Sequence, residues 1–128
     1  MAQDNNRIKP TEAELTLLNI LWNLGPATVR QVHETVSKTQ TTGYTTVLKI
    51  LQIMHEKTLV IRDESNRAHV YAAANSQTFT QSSLLKDLVT KAFGGSTSKL
   101  VMRALDNSTS KEEIADIRQL LNELEQQD

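Results

Sequence analysis

The chain contains no cysteine, which excludes disulfides, thiolate metal sites and cysteine nucleophiles together. It has only four glycines, and none of them builds a glycine-rich phosphate loop. No apolar run approaches the roughly 18–20 residues that a membrane-spanning helix needs, so no direct membrane insertion is expected. The polar start, Met1 to Arg7, lacks the apolar stretch of a secretory signal, and a cytoplasmic location is expected. An excess of one charge sign is missing as well. The 128 residues carry a formal net charge of −1, so no global basic footprint points to nucleic acid. Residues 1–75 carry eight basic against seven acidic side chains, and residues 76–128 six against eight. That asymmetry makes the first part the anion-facing one.

What is present is the composition of an ordinary folded chain, with 38% hydrophobic and 23% charged residues, neither disordered nor fibrous. Thr11-Glu-Ala-Glu14 is a capping box, and Leu15, Leu18, Leu21 and Trp22 follow at helical spacing. Gly25-Pro26 predicts a turn. Thr28-Val-Arg-Gln31 repeats the box, and Val29, Val32 and Val36 line one face of a short second helix. A polar connection, Ser37 to Gly43, leads to a third helix from Tyr44 to Lys57. Its inward side is expected to carry Tyr44, Val47, Leu48, Leu51 and Met54. Trp22 reads as a core ring.

The period then changes from helical to alternating. Leu59 to Arg62 and Ala68 to Ala72 read as the two strands of a hairpin, joined by the polar tip Asp63-Glu-Ser-Asn-Arg67. Three helices followed by a hairpin is the order of a winged helix-turn-helix. Behind it, Leu84, Leu85, Leu88, Val89, Ala92 and Phe93 form an apolar stripe that stops at Gly94-Gly95. Leu100, Val101, Ala104 and Leu105 predict a short helix. Ser110-Lys-Glu-Glu113 caps a last one, in which Ile114, Ile117, Leu121 and Leu124 make a seam too short to be stable alone. Covering these apolar positions with a second copy of the chain predicts a symmetric dimer. The fold class is therefore mainly α: a winged domain over 1–75, then a helical dimerisation region over 76–128.

The third helix carries the functional reading. With its apolar side turned in, Thr45, Lys49, Gln52 and Glu56 fall on the opposite stripe, with Thr46 at its shoulder. On an isolated helix this would be a solvated face. Within a helix-helix-helix-hairpin order it suits a major groove: threonine methyls can meet thymine methyls, Gln can pair with adenine, and Lys can reach guanine or phosphate. Thr42 and Tyr44 flank the helix start, where phosphates are commonly held. Thr28 and Arg30, opening the second helix, are further DNA-contact candidates. Arg62, Arg67 and His69 put cations on the hairpin, although cross-strand pairing with Asp63 and Glu64 would explain them equally well. His33, His55 and His69 lack the spacing of a metal site. No serine sits in a nucleophile-elbow context. Neither enzymatic activity nor a cofactor is expected.

Leu15 to Trp22, Gly25-Pro-Ala-Thr-Val-Arg-Gln-Val-His33, Thr42-Gly-Tyr-Thr-Thr-Val-Leu-Lys49 and Arg67-Ala-His-Val-Tyr71 together resemble the bacterial penicillinase-repressor (BlaI/MecI-type) family over nearly the whole chain. The resemblance implies a dimeric winged-helix repressor that occupies a palindromic operator in double-stranded DNA and excludes RNA polymerase. It implies base reading by Thr45 and Thr46, supported by Lys49 and the hairpin arginines. In many members it also implies a membrane-bound zinc metallopeptidase sensor, through which the repressor is cut in its tail. Three features depart from the family pattern. Arg103-Ala104 replaces the Asn-Phe pair at the cut, the cysteine-rich tail of copper-responsive members is absent, and Thr58 stands where glycine usually ends the third helix. A left-handed Thr58 would cost on the order of 1 kcal/mol. Two other functions fit the same residues less well: a winged protein-interaction module, and a regulator gated by a small molecule between wing and tail.

Overall fold

The computed structural model describes residues 9–127, and the polar start at Met1–Arg7 lies outside the described residues. Contacts divide the chain into two compact units, one ending at Leu84 and the other beginning at Leu85. Helix α1 (Glu12–Leu24) opens on the Thr11 box: the threonine hydroxyl accepts the Glu14 amide at 3.2 Å, and the Glu14 carboxylate accepts the Thr11 amide at 2.9 Å. Leu17, Leu18 and Leu21 are its buried face. The chain turns at Gly25, whose φ of 80° lies where only glycine avoids a Cβ penalty. Helix α2 (Val29–Val36) opens on the Thr28 and Gln31 box and buries Val29, Val32 and Val36, at steps of three and four that keep one face inward.

Helix α3 (Tyr44–Glu56) buries Val47, Leu51 and Met54 completely, each 0% exposed. Tyr44 departs from expectation. It is 48% exposed rather than inward, because at the first helical position its ring meets the His33 ring edge-on instead of the core. The helix ends in a Schellman motif. The Thr58 amide donates to the His55 carbonyl at 3.1 Å and the Leu59 amide to the Met54 carbonyl at 2.9 Å, which satisfies two carbonyls that the helix end would orphan. Thr58 is indeed left-handed, with φ 64°.

Strands β2 (Val60–Asp63) and β3 (Val70–Ala73) pair antiparallel, Val60 opposite Ala73 and Arg62 opposite Tyr71. Leu59 belongs to the helix cap and Ala68-His69 to the tip, so the hairpin is shorter at its start and longer in its loop than the alternation predicted. It is also not alone. A two-residue strand β1 (Ala27–Thr28) pairs with Tyr71 and Val70, which gives a three-stranded sheet in the order β1-β3-β2. Two residues are too few to show a period, so β1 left no pattern to read. The core is one cluster, in which Val32, Val36, Val47, Leu51, Met54, Val60 and Tyr71 join the α1 leucines. Trp22 packs against it and donates its indole N–H to the Asn75 carbonyl at 2.9 Å.

Helix α4 (Gln77–Ala92) begins with the Ser76 hydroxyl accepting the Phe79 amide and is ended by Gly94 and Gly95, φ 59° and 82°. Helix α5 (Thr97–Ala104) opens on Ser96, and α6 (Lys111–Gln126) on the Ser110 and Glu113 box. None of these three helices buries a residue. Among the described residues, no helix is long and apolar enough to cross a membrane.

Candidate nucleic-acid interface

Because Val47, Leu51 and Met54 hold one face of α3 in the core, Thr45, Thr46, Lys49 and Gln52 all stand exposed on the rest of it. Among the described residues, these four side chains make no hydrogen bond or ion pair within the protein, which leaves their donors and acceptors available to an outside surface. Glu56 is exposed at the far end of the same stripe.

The start of α3 is built differently from the rest of the stripe. Gly43 is its N-cap and offers no side-chain acceptor. The Thr42 carbonyl accepts from His33 Nε2 at 2.8 Å, and the Tyr44 ring meets the His33 ring with centroids 5.8 Å apart at 77°. Thr42 is half-buried and Tyr44 exposed. Spacing gave His33 no role once a metal site was set aside, since nothing local marks the loop carbonyl it reaches.

Thr28 and Arg30 are already occupied. The Thr28 hydroxyl accepts the Gln31 amide at 3.2 Å and donates to the Gln31 side-chain oxygen at 3.3 Å. Arg30 lies on the surface, 3.5 Å from Glu34 one turn on, a spacing worth little in water.

On the hairpin the three cations divide. The Arg62 guanidinium is drawn back onto the sheet, where its Nε donates to Glu64 at 2.7 Å and its Nη2 at 2.6 Å. Hydrogen bonding to the Tyr71 hydroxyl, then to Glu64, holds Arg62 above its ordinary value. The same contact holds the Glu64 carboxyl below the usual carboxylate range. Asp63 is lowered too, by the Ser65 hydroxyl and amide, which close the tip in a turn with donor distances of 2.7 and 2.9 Å. Arg67 and His69, by contrast, project from the tip as exposed side chains. The exposed basic side chains of the tip are thus Arg67 and His69, with Arg62 committed to Glu64.

One further contact braces the far end of α3. Glu14, only 4% exposed, accepts from Lys57 Nζ at 3.1 and 2.9 Å. It thereby ties the first turn of α1 to the C-cap residue of the helix that carries the stripe. The two partners are 43 positions apart, and no spacing rule joins them.

In the tail, every position expected to pair two chains is partly or largely exposed. Leu85, Leu88, Val101, Leu105, Ile114, Leu121 and Leu124 are exposed, and Leu84, Val89, Phe93, Leu100 and Ile117 are half-buried. Phe79, Met102 and Leu120 are exposed apolar residues that the heptad reading did not include. Arg103-Ala104 lies at the exposed end of α5. Among the described residues, no group of His, Asp or Glu is placed to hold a metal ion.

The family model described as penicillinase repressor matches residues 10–123. The chain is similar to the transcriptional regulator BlaI of Mycobacterium tuberculosis, with 30% identity over 115 residues that cover 89% of this chain and 83% of that protein. It is also similar to the methicillin resistance regulatory protein MecI of Staphylococcus aureus, with 21% identity over 120 residues, 93% of this chain and 98% of the other.

Proposed function

Since the chain belongs to the penicillinase repressor family, we propose that it is a dimeric transcriptional repressor whose winged part, residues 1–75, reads a two-fold operator in double-stranded DNA. Residues 76–128 pair the two copies. The observation that carries this reading is the exposed, unengaged stripe of Thr45, Thr46, Lys49 and Gln52 on a helix whose opposite face is locked in the core. Thr42 and Tyr44 face phosphate at the helix start, and Arg67 and His69 meet the backbone from the wing. Arg30 gives a supporting contact, while Thr28 and Arg62 act indirectly, Thr28 by capping α2 and Arg62 by holding the wing's shape through Glu64.

One winged unit supplies few cations, so a single copy gains little affinity from phosphate. Two recognition helices set about one DNA turn apart, roughly 34 Å, double the contact and require a palindrome. If each copy neutralises about three or four phosphates, the affinity of the dimer falls with salt at a log-log slope of about −5 to −7. Binding is then tied to pairing, and whatever loosens the α6 seam releases the DNA. In many members a membrane-bound metallopeptidase sensor leads to cutting in the tail, and such a sensor is the proposed route of release here. Arg103-Ala104 stands here in place of the Asn-Phe pair at which penicillinase-type members are cut.

Selection of fragments from random duplex DNA by the full-length protein tests the reading. The expected result is an enriched two-fold repeat, whose shift in an electrophoretic assay weakens about 5- to 100-fold in Lys49→Ala, as loss of one base or phosphate contact in each half-site predicts. No enrichment, together with weak salt dependence, would instead identify a protein-interaction module.

A further inference from the structure

Five of the six described helices open on a hydroxyl that accepts an amide of their own first turn: Thr11, Thr28, Ser76, Ser96 and Ser110. Helix α3 does not, because its N-cap is Gly43. No side-chain cap therefore fixes its first turn, although the stripe starts there, at Thr45. The placement comes from the preceding helix. His33 stands on α2, whose Val29, Val32 and Val36 anchor it in the core. Its Nε2 lies 2.8 Å from the Thr42 carbonyl. A carbonyl only accepts, so Nε2 carries the hydrogen and donates. The Tyr44 ring, packed edge-on against the same imidazole, restrains the residue on the other side of Gly43.

We infer that His33 is a positioning residue for DNA reading: it transfers the rigid placement of α2 to the first turn of α3, and so sets where Thr45 and Thr46 meet the bases without touching DNA itself. The inference rests on the proposed operator-binding function. Hydrogen bonds to bases hold over a span of only about 0.5 Å in length, so a first turn free to shift by an ångström loses selectivity before it loses attraction to phosphate. A residue that merely stabilised the fold would weaken binding to every duplex alike. A residue that touched phosphate would change the salt slope.

The test compares full-length wild type, His33→Ala and His33→Gln on two duplexes of equal length, one carrying the repeat selected by the wild type and one of random sequence. His33→Ala should bind the selected duplex about 10- to 100-fold more weakly, as loss of one hydrogen bond in each of two copies predicts, with a distinctly smaller loss on the random duplex. His33→Gln, whose amide can donate to the same carbonyl, should stay within about threefold of wild type. In the free protein, amide exchange at Val47, which donates to the Gly43 carbonyl, should quicken in His33→Ala while that of Leu51 does not. Equal loss on both duplexes, a Gln variant as impaired as the Ala variant, or unchanged exchange at Val47 would each overturn the inference. Should the wild type fail to tell the duplexes apart, the operator reading is what falls, and the exchange measurement still decides what His33 does to α3.

Discussion

The unit ending at Leu84 and the unit beginning at Leu85 use the same local devices and reach opposite outcomes. Thr11 with Glu14 and Ser110 with Glu113 are the same capping box. Asp63 with Ser65 and Asp106 with Ser108 are the same carboxylate-closed turn. Yet Leu17, Leu18 and Leu21 of α1 are 2–3% exposed, whereas Leu121 and Leu124 of α6 are 54% and 53% exposed. Burying a leucine fully is worth about 1.5–3 kcal/mol, so the first unit has realised a stabilisation that the second still holds in reserve. A short amphipathic helix draws most of its stability from a covered face. The difference teaches that capping and periodicity say where helices are, while only the number of surrounding elements decides whether they have a core.

The sharpest way to break the comparison is to disrupt the apolar face of one helix in each unit. Leu51→Ala should lower the unfolding free energy by about 2–5 kcal/mol in a urea titration, since Leu51 is wholly enclosed. Aspartate at both Ile117 and Leu121 should leave the winged unit's melting unchanged and turn the proposed dimer into monomers by sedimentation. Persisting dimers would refute the pairing role given to α6.

Glu14 and Glu113 give the next contrast, because they hold the same capping position in different surroundings. Glu14→Ala should cost about 2 kcal/mol in the same titration. That is less than the loss on breaking a fully enclosed pair, because the Lys57 side chain remains 33% exposed and reaches water. Glu113→Ala, at an exposed helix start, should cost no more than about 1 kcal/mol. Equal costs would mean that the link to Lys57 adds nothing to the cap.

Thr58→Gly should gain about 0.5–1 kcal/mol, read as a higher urea midpoint, because it removes the Cβ penalty at φ 64° and loses part of that gain to the freer unfolded chain.

The smallest effect concerns pH, and there the two units should behave alike. The Ser65 and Ser108 hydroxyls and amides hold the Asp63 and Asp106 carboxyls below their ordinary value. A depressed folded pKa means that the turn's contribution is complete above the usual carboxylate range and is lost as pH falls through the folded value. Carboxyl titrations by NMR should show both aspartates ionising below the usual range, and Ser65→Ala and Ser108→Ala should each raise the matching one.

How far residues could be read in advance follows the same divide between local and distant. The stripe of Thr45, Lys49 and Gln52 was visible from spacing because the core face of α3 repeats every three to four residues, and its exposure agrees with that pattern. Tyr44 was misplaced by the same rule, which cannot tell a first-turn residue packed on a neighbouring helix from one in the core. Arg62 left two readings open, free cation or cross-strand pair. The register that sets it opposite Tyr71 and the 2.6 Å contact to Glu64 exist only once the hairpin is folded.

The linear order of residues by itself determined the five capped helix starts, the turn at Gly25, the inward faces apart from Tyr44, and the winged order. Each depends on side chains and amides within about four positions of one another. Tertiary structure alone decided that Ala27–Thr28 become a third strand, that Lys57 finds Glu14 and that His33 holds the loop before α3. These contacts join residues that the path of the whole chain brings together, and no local energy selects them before that path is closed.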